Sequence, residues 1–355
     1  MSARVFPRPA LLRSALLAAP LLLSLPALAA PPAACWAPET LTVHPGERDS
    51  RRITPAERRF PPQPAAATAP VTGTPAAGVV RRVTPANGEK IVALTFDLCE
   101  TTGQIAGYDG AVIDALRAAD APATFFPTGH WLQTHPERAA QMAADPRFEL
   151  GNHSYGHANM HGVDATRLQT DLLATEAVLA ANRTATAGMC PAATAHVENP
   201  GPRLYRFPYG SCSAESLKAA NDAGAVVIQW DVVSGDPGGT SAKALTSRVV
   251  SQVKPGSIVV MHANGHGDHT AEAVPAIVAG LRAKGYRLVT VGELLASGTP
   301  VTVPECYINT PGDTAVYDRA AAARDAPQPA SVKATPAKAT APAAGNGQPA
   351  APTPH

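Results

Sequence analysis

The sequence of 355 residues has little charge and almost no charge imbalance. Charged residues make up 16% of it, and the formal net charge is +1. A protein that binds nucleic acid needs a basic surface that neutralises phosphates. This composition therefore excludes a nucleic-acid partner.

The sequence also lacks several recognisable motifs. It contains no CxxC pair, which argues against a redox motif or a cysteine zinc finger. It contains no HExxH sequence, so a metalloprotease of the zincin type is disfavoured. Beyond the N-terminal leader, no apolar run approaches the roughly 20 residues that span a bilayer. We therefore predict no transmembrane segment in the mature chain.

Proline is in excess, with 36 residues that concentrate towards the two ends of the chain. Such Pro-rich and Ala-rich flanks bury too little apolar surface to offset their ordering entropy, so we predict disordered N-terminal and C-terminal arms. The prediction divides the chain into four parts: a signal peptide (1–29), a Pro/Arg-rich arm (30–88), a globular domain that carries the chemistry (89–308) and a low-complexity tail (309–355).

The N-terminal leader has the features of a secretory signal. Three arginines precede an apolar run at 15–25, and Ala27-Leu28-Ala29 is a small-x-small cleavage site. We predict export to the periplasm or the medium, with an uncleaved anchor or a lipidated Cys35 as alternatives. In such an oxidising compartment the five cysteines can pair, and their odd number leaves at least one thiol over.

From residue 89 onward, short apolar runs alternate with stretches of helical spacing. The alternation predicts an α/β fold with a parallel sheet, either a barrel or a doubly wound sheet. The predicted strands are 91–96, 124–126, 148–151, 204–207, 226–230, 258–261 and 288–291.

Polar residues gather where these predicted strands end, which is where parallel α/β folds place their ligand sites. His153 and His157 have a spacing that lets two imidazoles bind one metal ion. The other strand-end residues are Asp97, Arg206, Tyr209, Trp230, Asp231, Asp236 and His262.

Five segments in order resemble the motifs of the polysaccharide deacetylase family, carbohydrate esterase family 4. They are LTFDLCE (94–100), GNHSYGH (151–157), RFPYG (206–210), WDVVSGDP (230–237) and IVVMH (258–262). The resemblance implies a distorted (β/α) barrel of about seven strands. It also implies hydrolysis of acetyl groups, most often N-acetyl groups, on a carbohydrate polymer such as peptidoglycan or another polymer of N-acetylglucosamine.

The resemblance assigns a role to each motif residue. Asp97 would be the catalytic base and His262 the general acid, while Arg206 and Asp236 would orient and tune Asp97. The other roles would be metal binding for His153 and His157, oxyanion binding for the backbone N–H of Tyr209, and substrate binding for Trp230. The implied cofactor is a divalent metal ion, with zinc expected.

The first motif departs from the family pattern, because Leu98 stands where a second aspartate usually binds the metal. Either Glu100 supplies the missing carboxylate or Asp97 is itself a ligand, which would leave the base unassigned. Pro237 replaces a usual tryptophan in the fourth motif. The loops after the first and third motifs should be neighbours, so we predict a Cys99–Cys212 disulfide.

Two main hypotheses of function follow. The first is an exported, metal-assisted carbohydrate deacetylase, and the second is a carbohydrate-binding pseudoenzyme of the same fold that has lost its metal site. Retention of Asp97, Arg206, Asp236 and His262 favours the enzyme, because a binding protein needs neither a base nor an acid. An amidohydrolase acting on small cyclic amides is a third alternative, which the predicted export disfavours.

Overall fold

The computed structural model describes residues 35–54, 77–194 and 201–325. The predicted signal peptide and the end of the predicted tail lie outside these residues. Within the described ranges, no helix combines the length and the hydropathy that crossing a membrane requires.

Short strands and helices alternate along the chain. The strands are β1 (Arg51–Arg52), β2 (Val79–Pro85), β3 (Ile91–Leu98), β4 (Gln104–Ile105), β5 (Ala123–Pro127), β6 (Phe148–Leu150), β7 (Leu204–Tyr205), β8 (Val226–Ile228), β9 (Val232–Val233), β10 (Ser257–His262), β11 (Arg287–Val289) and β12 (Gly298–Val303). The helices are α1 (Pro38–Leu41), α2 (Gly110–Ala118), α3 (Gly129–Thr134), α4 (Pro136–Ala143), α5 (Ala165–Met189), α6 (Ala214–Asp222), α7 (Ala242–Gln252), α8 (Thr270–Ala283), α9 (Val291–Ala296) and α10 (Ala315–Asp325). Each predicted strand overlaps one of these strands.

One sheet organises the domain, with the strand order β6-β5-β3-β10-β2-β8-β7. Strands β11, β12 and β9 pair with β3, β2 and β10 respectively. A parallel bridge between Asn152, just past β6, and Tyr205 in β7 joins the two ends of the sheet. The sheet is therefore curled into an irregular barrel, which confirms the predicted α/β class and the distorted barrel of about seven strands.

Strand β3 shows how the sequence builds this architecture. All eight of its residues are buried, as expected for a strand covered on both faces. Leu94, Phe96 and Leu98 pack in the apolar cluster that contains residues of α2 and α8, whereas Ile91 and Ala93 pack in a second cluster inside the barrel. Even-numbered positions therefore face the helices, and odd-numbered positions face the interior.

The ordered domain extends past both predicted boundaries. Strand β2 lies in the middle of the sheet although it falls in the segment predicted as an arm, and α10 falls in the predicted tail. Residues 35–54 also pack on the domain, where Arg138 pairs with Glu47 at 2.8 Å and Arg48 with Asp109 at 2.9 Å. The high proline content of the flanks predicted disorder for these segments. The apolar residues of β2 form only a short run beside charged residues, so the sequence pattern did not indicate a strand there.

Candidate active site

Asp97 lies at the end of β3, directly opposite His262 at the end of β10. The two strands are parallel, and their register pairs Asp97 with His262. Asp97 Oδ1 accepts a hydrogen bond of 2.7 Å from Nη1 of the fully buried Arg206. Arg206 also donates to the backbone carbonyls of Ile228 and Gln229, at 3.3 and 3.4 Å. These contacts fix one carboxylate oxygen and leave Oδ2 facing the site.

His153 follows β6 and presents one ring nitrogen to the site. Its Nδ1 lies 2.8 Å from the carbonyl oxygen of Arg206. A carbonyl oxygen only accepts hydrogen bonds, so Nδ1 carries the proton and Nε2 of the neutral ring has a free lone pair. Nε2 lies 3.7 Å from Asp97 Oδ2. Burial opposes ionisation, but the charges of Asp97 and Cys99 outweigh it and raise the pKa of His153.

His157 closes the same loop, with its ring centroid 4.9 Å from that of His153. Ser154 and His157 both adopt left-handed backbone conformations, with φ of 64° and 53°. The loop is held by hydrogen bonds from Ser154 N–H to Asn152 Oδ1 at 3.0 Å and from Tyr155 N–H to Asp171 Oδ1 at 2.9 Å. The predicted histidine pair therefore converges on one point.

His262 is paired with a fully engaged carboxylate. Asp236 Oδ1 lies 3.0 Å from His262 Nδ1, and Oδ2 accepts from the backbone N–H of His262 at 2.6 Å. Ser234 and Thr270 donate to the same carboxylate at 2.9 Å each. Burial opposes protonation of His262, but the charge of Asp236 and its hydrogen bond outweigh it and raise the pKa of His262 well above its usual value. Asp236 therefore contacts His262, and not Asp97, which the family resemblance implied that it would orient and tune.

The glycine-containing loop after β10 makes this contact possible. A Cβ atom at Gly267 would lie 2.8 Å from Asp236 Oδ2 and 2.7 Å from the carbonyl oxygen of His262. Both distances are shorter than real Cβ contacts, so only glycine lets the loop pass so close to the carboxylate. Ser234, Thr270 and Gly267 are recognisable as neighbours of Asp236 only from the folded loop.

One cavity of about 260 Å³ is lined by the motif residues Asp97, His153, His157, Asp236 and His262. The edge of the cavity nearest His157 is formed by Tyr209, whose ring stacks on that of Tyr317 with centroids 5.4 Å apart. Trp230 also lines it and donates through Nε1 to the carbonyl of Ile308 at 3.1 Å. A larger cavity of about 420 Å³, lined by Glu149 and Arg183 among others, contains none of the motif residues.

Two predictions about the first motif are corrected by the structure. The predicted Cys99–Cys212 disulfide is wrong, because Cys212 pairs with Cys306 and Cys99 is a free thiol. The second disulfide joins Cys35 and Cys190. The alternation of side chains along β3 explains the error. It directs the Cys99 side chain into the cavity and away from the loop that carries Cys212.

Glu100 does not supply a carboxylate to the histidine pair. It is buried, and its Oε1 accepts from Thr134 at 2.8 Å and lies 2.6 Å from His130 Nδ1. Its Oε2 accepts from the backbone N–H of Ala106 at 2.7 Å. These contacts hold Glu100 among α3 and the loop after β3, where it braces the loop.

The donor atoms that remain fit a metal ion. Within the described residues, Cys99, His153 and His157 place one potential ligand atom each within 4.8 Å of one another. Asp97, Cys99 and His262 form a second such group. Imidazole nitrogen and thiolate sulfur are ligands that zinc prefers, so these residues suit a transition-metal ion. Burial alone would raise the pKa of the Cys99 thiol, but the neighbouring histidines have the larger effect and hold this pKa well below its usual value.

Comparisons with known proteins agree with this geometry. The family model described as polysaccharide deacetylase matches residues 84–228. Two peptidoglycan-N-acetylglucosamine deacetylases of Bacillus cereus are similar to the chain. One is 30% identical over 202 residues, which cover 56% of this chain and 66% of the relative. The other is 31% identical over 212 residues, which cover 59% of this chain and 90% of the relative.

The chain belongs to the polysaccharide deacetylase family. This confirms the family predicted from the five motifs and, at the level of the family, the predicted enzyme class. Among solved structures, the polysaccharide deacetylase chain is similar to a CE4 family pseudoenzyme from Bacillus anthracis. That match has 27% sequence identity and a TM-score of 0.50, and it covers 62% of this chain and 69% of the other.

Proposed function

We propose that this polysaccharide deacetylase is an exported, metal-assisted hydrolase that removes N-acetyl groups from a polymer of N-acetylglucosamine, such as peptidoglycan. One observation carries the proposal. Asp97 and His262 lie opposite each other in register at the same barrel edge, and each is held by its own buried partner. A pure binding site has no need of a separately oriented base and acid.

Asp97 would act as the general base. Arg206 occupies Oδ1, so Oδ2 is the oxygen that takes a proton from the attacking water as it adds to the acetyl carbonyl carbon. The guanidinium of Arg206 also lies over the ring of Phe126, 4.0 Å from its centroid, which fixes its position beside Asp97. This fixed orientation keeps Oδ2 directed at the site.

His262 would act as the general acid. Asp236 stabilises the imidazolium through Nδ1, which leaves the Nε2 proton for the leaving amine nitrogen. Loss of that proton completes cleavage of the carbon–nitrogen bond and yields acetate and a free amino group. The buried Asp236 keeps the acid charged between turnovers.

His153 and His157 would hold the divalent metal ion. When bound, the metal acts as a Lewis acid that polarises the acetyl carbonyl and favours ionisation of the water. Tyr209 has φ of 59° in the turn Pro208–Gly210, and its backbone N–H is the proposed donor to the oxyanion. Trp230 and Tyr209 provide the aromatic surface on which a sugar ring packs.

Export and substrate class have their own supporting observations. The two disulfides suit an oxidising compartment outside the cytoplasm. The two relatives from Bacillus cereus are named for deacetylation of N-acetylglucosamine in peptidoglycan. A polymer of the same sugar is therefore the proposed substrate.

The proposal is tested by measuring acetate release from peptidoglycan and from chitin oligomers. We expect wild type to release acetate, and Asp97→Asn to release it about 10²–10⁴-fold more slowly. A chelator should abolish the activity, and zinc should restore it. His44→Ala is the control, because His44 is exposed and belongs to neither ligand group. Activity that survives both Asp97→Asn and chelation would overturn the mechanism.

The second candidate function is a carbohydrate-binding pseudoenzyme, and Leu98 is the observation that favours it. Leucine binds no metal, and its side chain is fully buried among apolar residues. A pseudoenzyme would bind oligomers of N-acetylglucosamine equally well with and without chelator, and it would release no acetate in the presence of zinc.

A further inference from the structure

The sulfur of Cys99 lies where the two ligand groups of the cavity overlap. It is shared by the group with His153 and His157 and by the group with Asp97 and His262. Cys99 comes two residues after Asp97, and strand alternation therefore directs both side chains to the same side. Leu98, between them, points into the apolar cluster next to the helices.

The separation of the donor atoms fits a shared metal ion. Cys99 Sγ lies 3.5 Å from His153 Nε2. With zinc bonds of about 2.3 Å to sulfur and about 2.0–2.1 Å to nitrogen, two ligand atoms at a tetrahedral angle lie about 3.5 Å apart. No movement of the two side chains is therefore needed to place one ion between them.

The orientation of His153 gives a second, independent indication. Its Nδ1–H is held by the carbonyl of Arg206 at 2.8 Å, so the unprotonated Nε2 is the atom directed at Cys99. Metal-binding histidines characteristically donate their other N–H to a carbonyl or carboxylate in this way. The ring is thus oriented for a ligand bond before any metal arrives.

The two carboxylates of the first motif have other contacts or roles. Glu100 is bound to His130, Thr134 and the backbone of Ala106. Asp97 is held by Arg206 at 2.7 Å and is assigned as the base. Cys99 is the remaining side chain of the first motif that offers a donor atom to the histidine pair.

We propose that Cys99 is the third protein ligand of the metal site, which makes it a Cys–His–His site with one open position for water or substrate. The proposal rests on the proposed function for the catalytic use of the metal. A thiolate ligand favours zinc and cobalt(II) over the harder manganese and magnesium ions. The site should therefore bind zinc far more tightly than manganese or magnesium.

The full chain loaded with cobalt(II) tests the sulfur ligand directly. All five cysteines lie in the described residues, and four are in disulfides, so a sulfur-to-cobalt charge-transfer band reports on Cys99. We expect the band in wild type and in His44→Ala, and its loss in Cys99→Ser. The zinc affinity of Cys99→Ser should fall by more than the roughly 10–100-fold that loss of an outer partner costs.

Thiol alkylation of the wild-type protein provides a measurement that needs no variant. Wild type should react at one thiol per chain, and zinc should slow this reaction strongly. Zinc should no longer protect the thiol in His153→Ala. No charge-transfer band, or a thiol that alkylates equally fast with saturating zinc, would overturn the proposal.

The outcomes separate this inference from the proposed function. A sulfur–cobalt band in a protein that releases no acetate would support Cys99 as a ligand and contradict the deacetylase. Zinc-dependent acetate release without that band would support the deacetylase and contradict Cys99 as a ligand.

Discussion

At the scale of single residues, Asp97 and Arg206 form a buried ion pair. The two charges meet at 2.7 Å, and the side chains of Arg206 and Asp97 are 0% and 6% exposed. Charges this deeply buried are stable only together, because either one alone keeps its desolvation cost and loses its partner. The catalytic role proposed for Asp97 therefore depends on the stability of the pair.

Removing the Arg206 guanidinium alone should destabilise the fold more than replacing Arg206 and Asp97 together. We expect Arg206→Met to lower the free energy of unfolding by about 3–5 kcal/mol, because it leaves the Asp97 carboxylate buried and unpaired. The double variant Arg206→Met with Asp97→Asn should recover part of that loss. Urea unfolding of wild type, both single variants and the double variant measures the difference. Equal losses in Arg206→Met and the double variant would contradict the coupling.

The pair of His262 and Asp236 predicts a particular pH dependence. The proposed general-acid role requires protonated His262, so activity should fall as pH rises through the pKa of His262. Asp236 raises that pKa, so Asp236→Asn should move the alkaline limb of the pH profile of kcat/KM to lower pH. An alkaline limb at the same pH in wild type and Asp236→Asn would show that another group sets it.

The ends of the predicted strands allow several candidate site residues to be grouped from the sequence. Asp97, His153, His157, Arg206 and His262 could be grouped because parallel strands end at one edge. Cys99 could not be assigned correctly, since its pairing depends on which way β3 turns its last side chains. Alternation along β3 was the overlooked signal, because it places residues 97 and 99 on one side.

At the scale of secondary structure, α5 supports the loop that carries the histidine pair. Asp171, on the second turn of α5, accepts a hydrogen bond of 2.9 Å from the N–H of Tyr155. Burial raises the pKa of Asp171 to about 6. The helix thus holds the loop through a buried carboxyl group, and ionisation of this group lowers the stability of the folded state.

This carboxyl group predicts how stability changes with pH. Its pKa is higher in the folded chain than the roughly 3.9 of an unfolded aspartate, so the folded state binds more protons between these values. Its contribution to stability therefore falls as pH rises from about 4 to about 6 and then stays constant. Asp171→Asn mimics the protonated form, so it should be about 2–3 kcal/mol more stable than wild type at pH 7.

Urea unfolding at pH 4 and pH 7 checks this prediction. The difference in unfolding free energy between Asp171→Asn and wild type should be small at pH 4 and larger at pH 7. A difference that does not grow with pH would contradict the raised pKa of Asp171.

The sequence also predicts the alternating β and α elements, because periodicity reports burial directly. It does not reveal β2, which falls in the segment predicted as a disordered arm. Arg81 is 7% exposed, donates to Gln229 Oε1 at 2.8 Å and stacks on the ring of Tyr307. Only the fold brings these partners together from positions more than a hundred residues apart.

At the scale of the whole molecule, the segment after β12 forms part of the cavity wall. Cys306 ties this segment to Cys212 across 94 residues of sequence. Ile308 accepts from both Trp230 and Arg81 through its carbonyl oxygen, and Tyr317 stacks on Tyr209. The predicted boundary at residue 308 therefore cuts through a structural part of the site.

Removing this disulfide should destabilise the domain. Closing a loop of this length restricts the unfolded chain, so replacing both Cys212 and Cys306 by serine should cost about 2–4 kcal/mol of unfolding free energy. Urea unfolding without reductant measures the loss. Reductant should destabilise wild type more than this double variant, which keeps the Cys35–Cys190 disulfide. An equal effect of reductant on both proteins would contradict the prediction.

The position of this wall has a consequence for biosynthesis. Ribosomes make the motif-bearing strands first, and Ile308 and Tyr317 emerge only after all five motifs. A nascent or truncated chain that stops before Cys306 would carry all five motifs but lack Ile308 and Tyr317, which line the cavity. The Cys212–Cys306 disulfide can therefore form only after all five motifs have been synthesised.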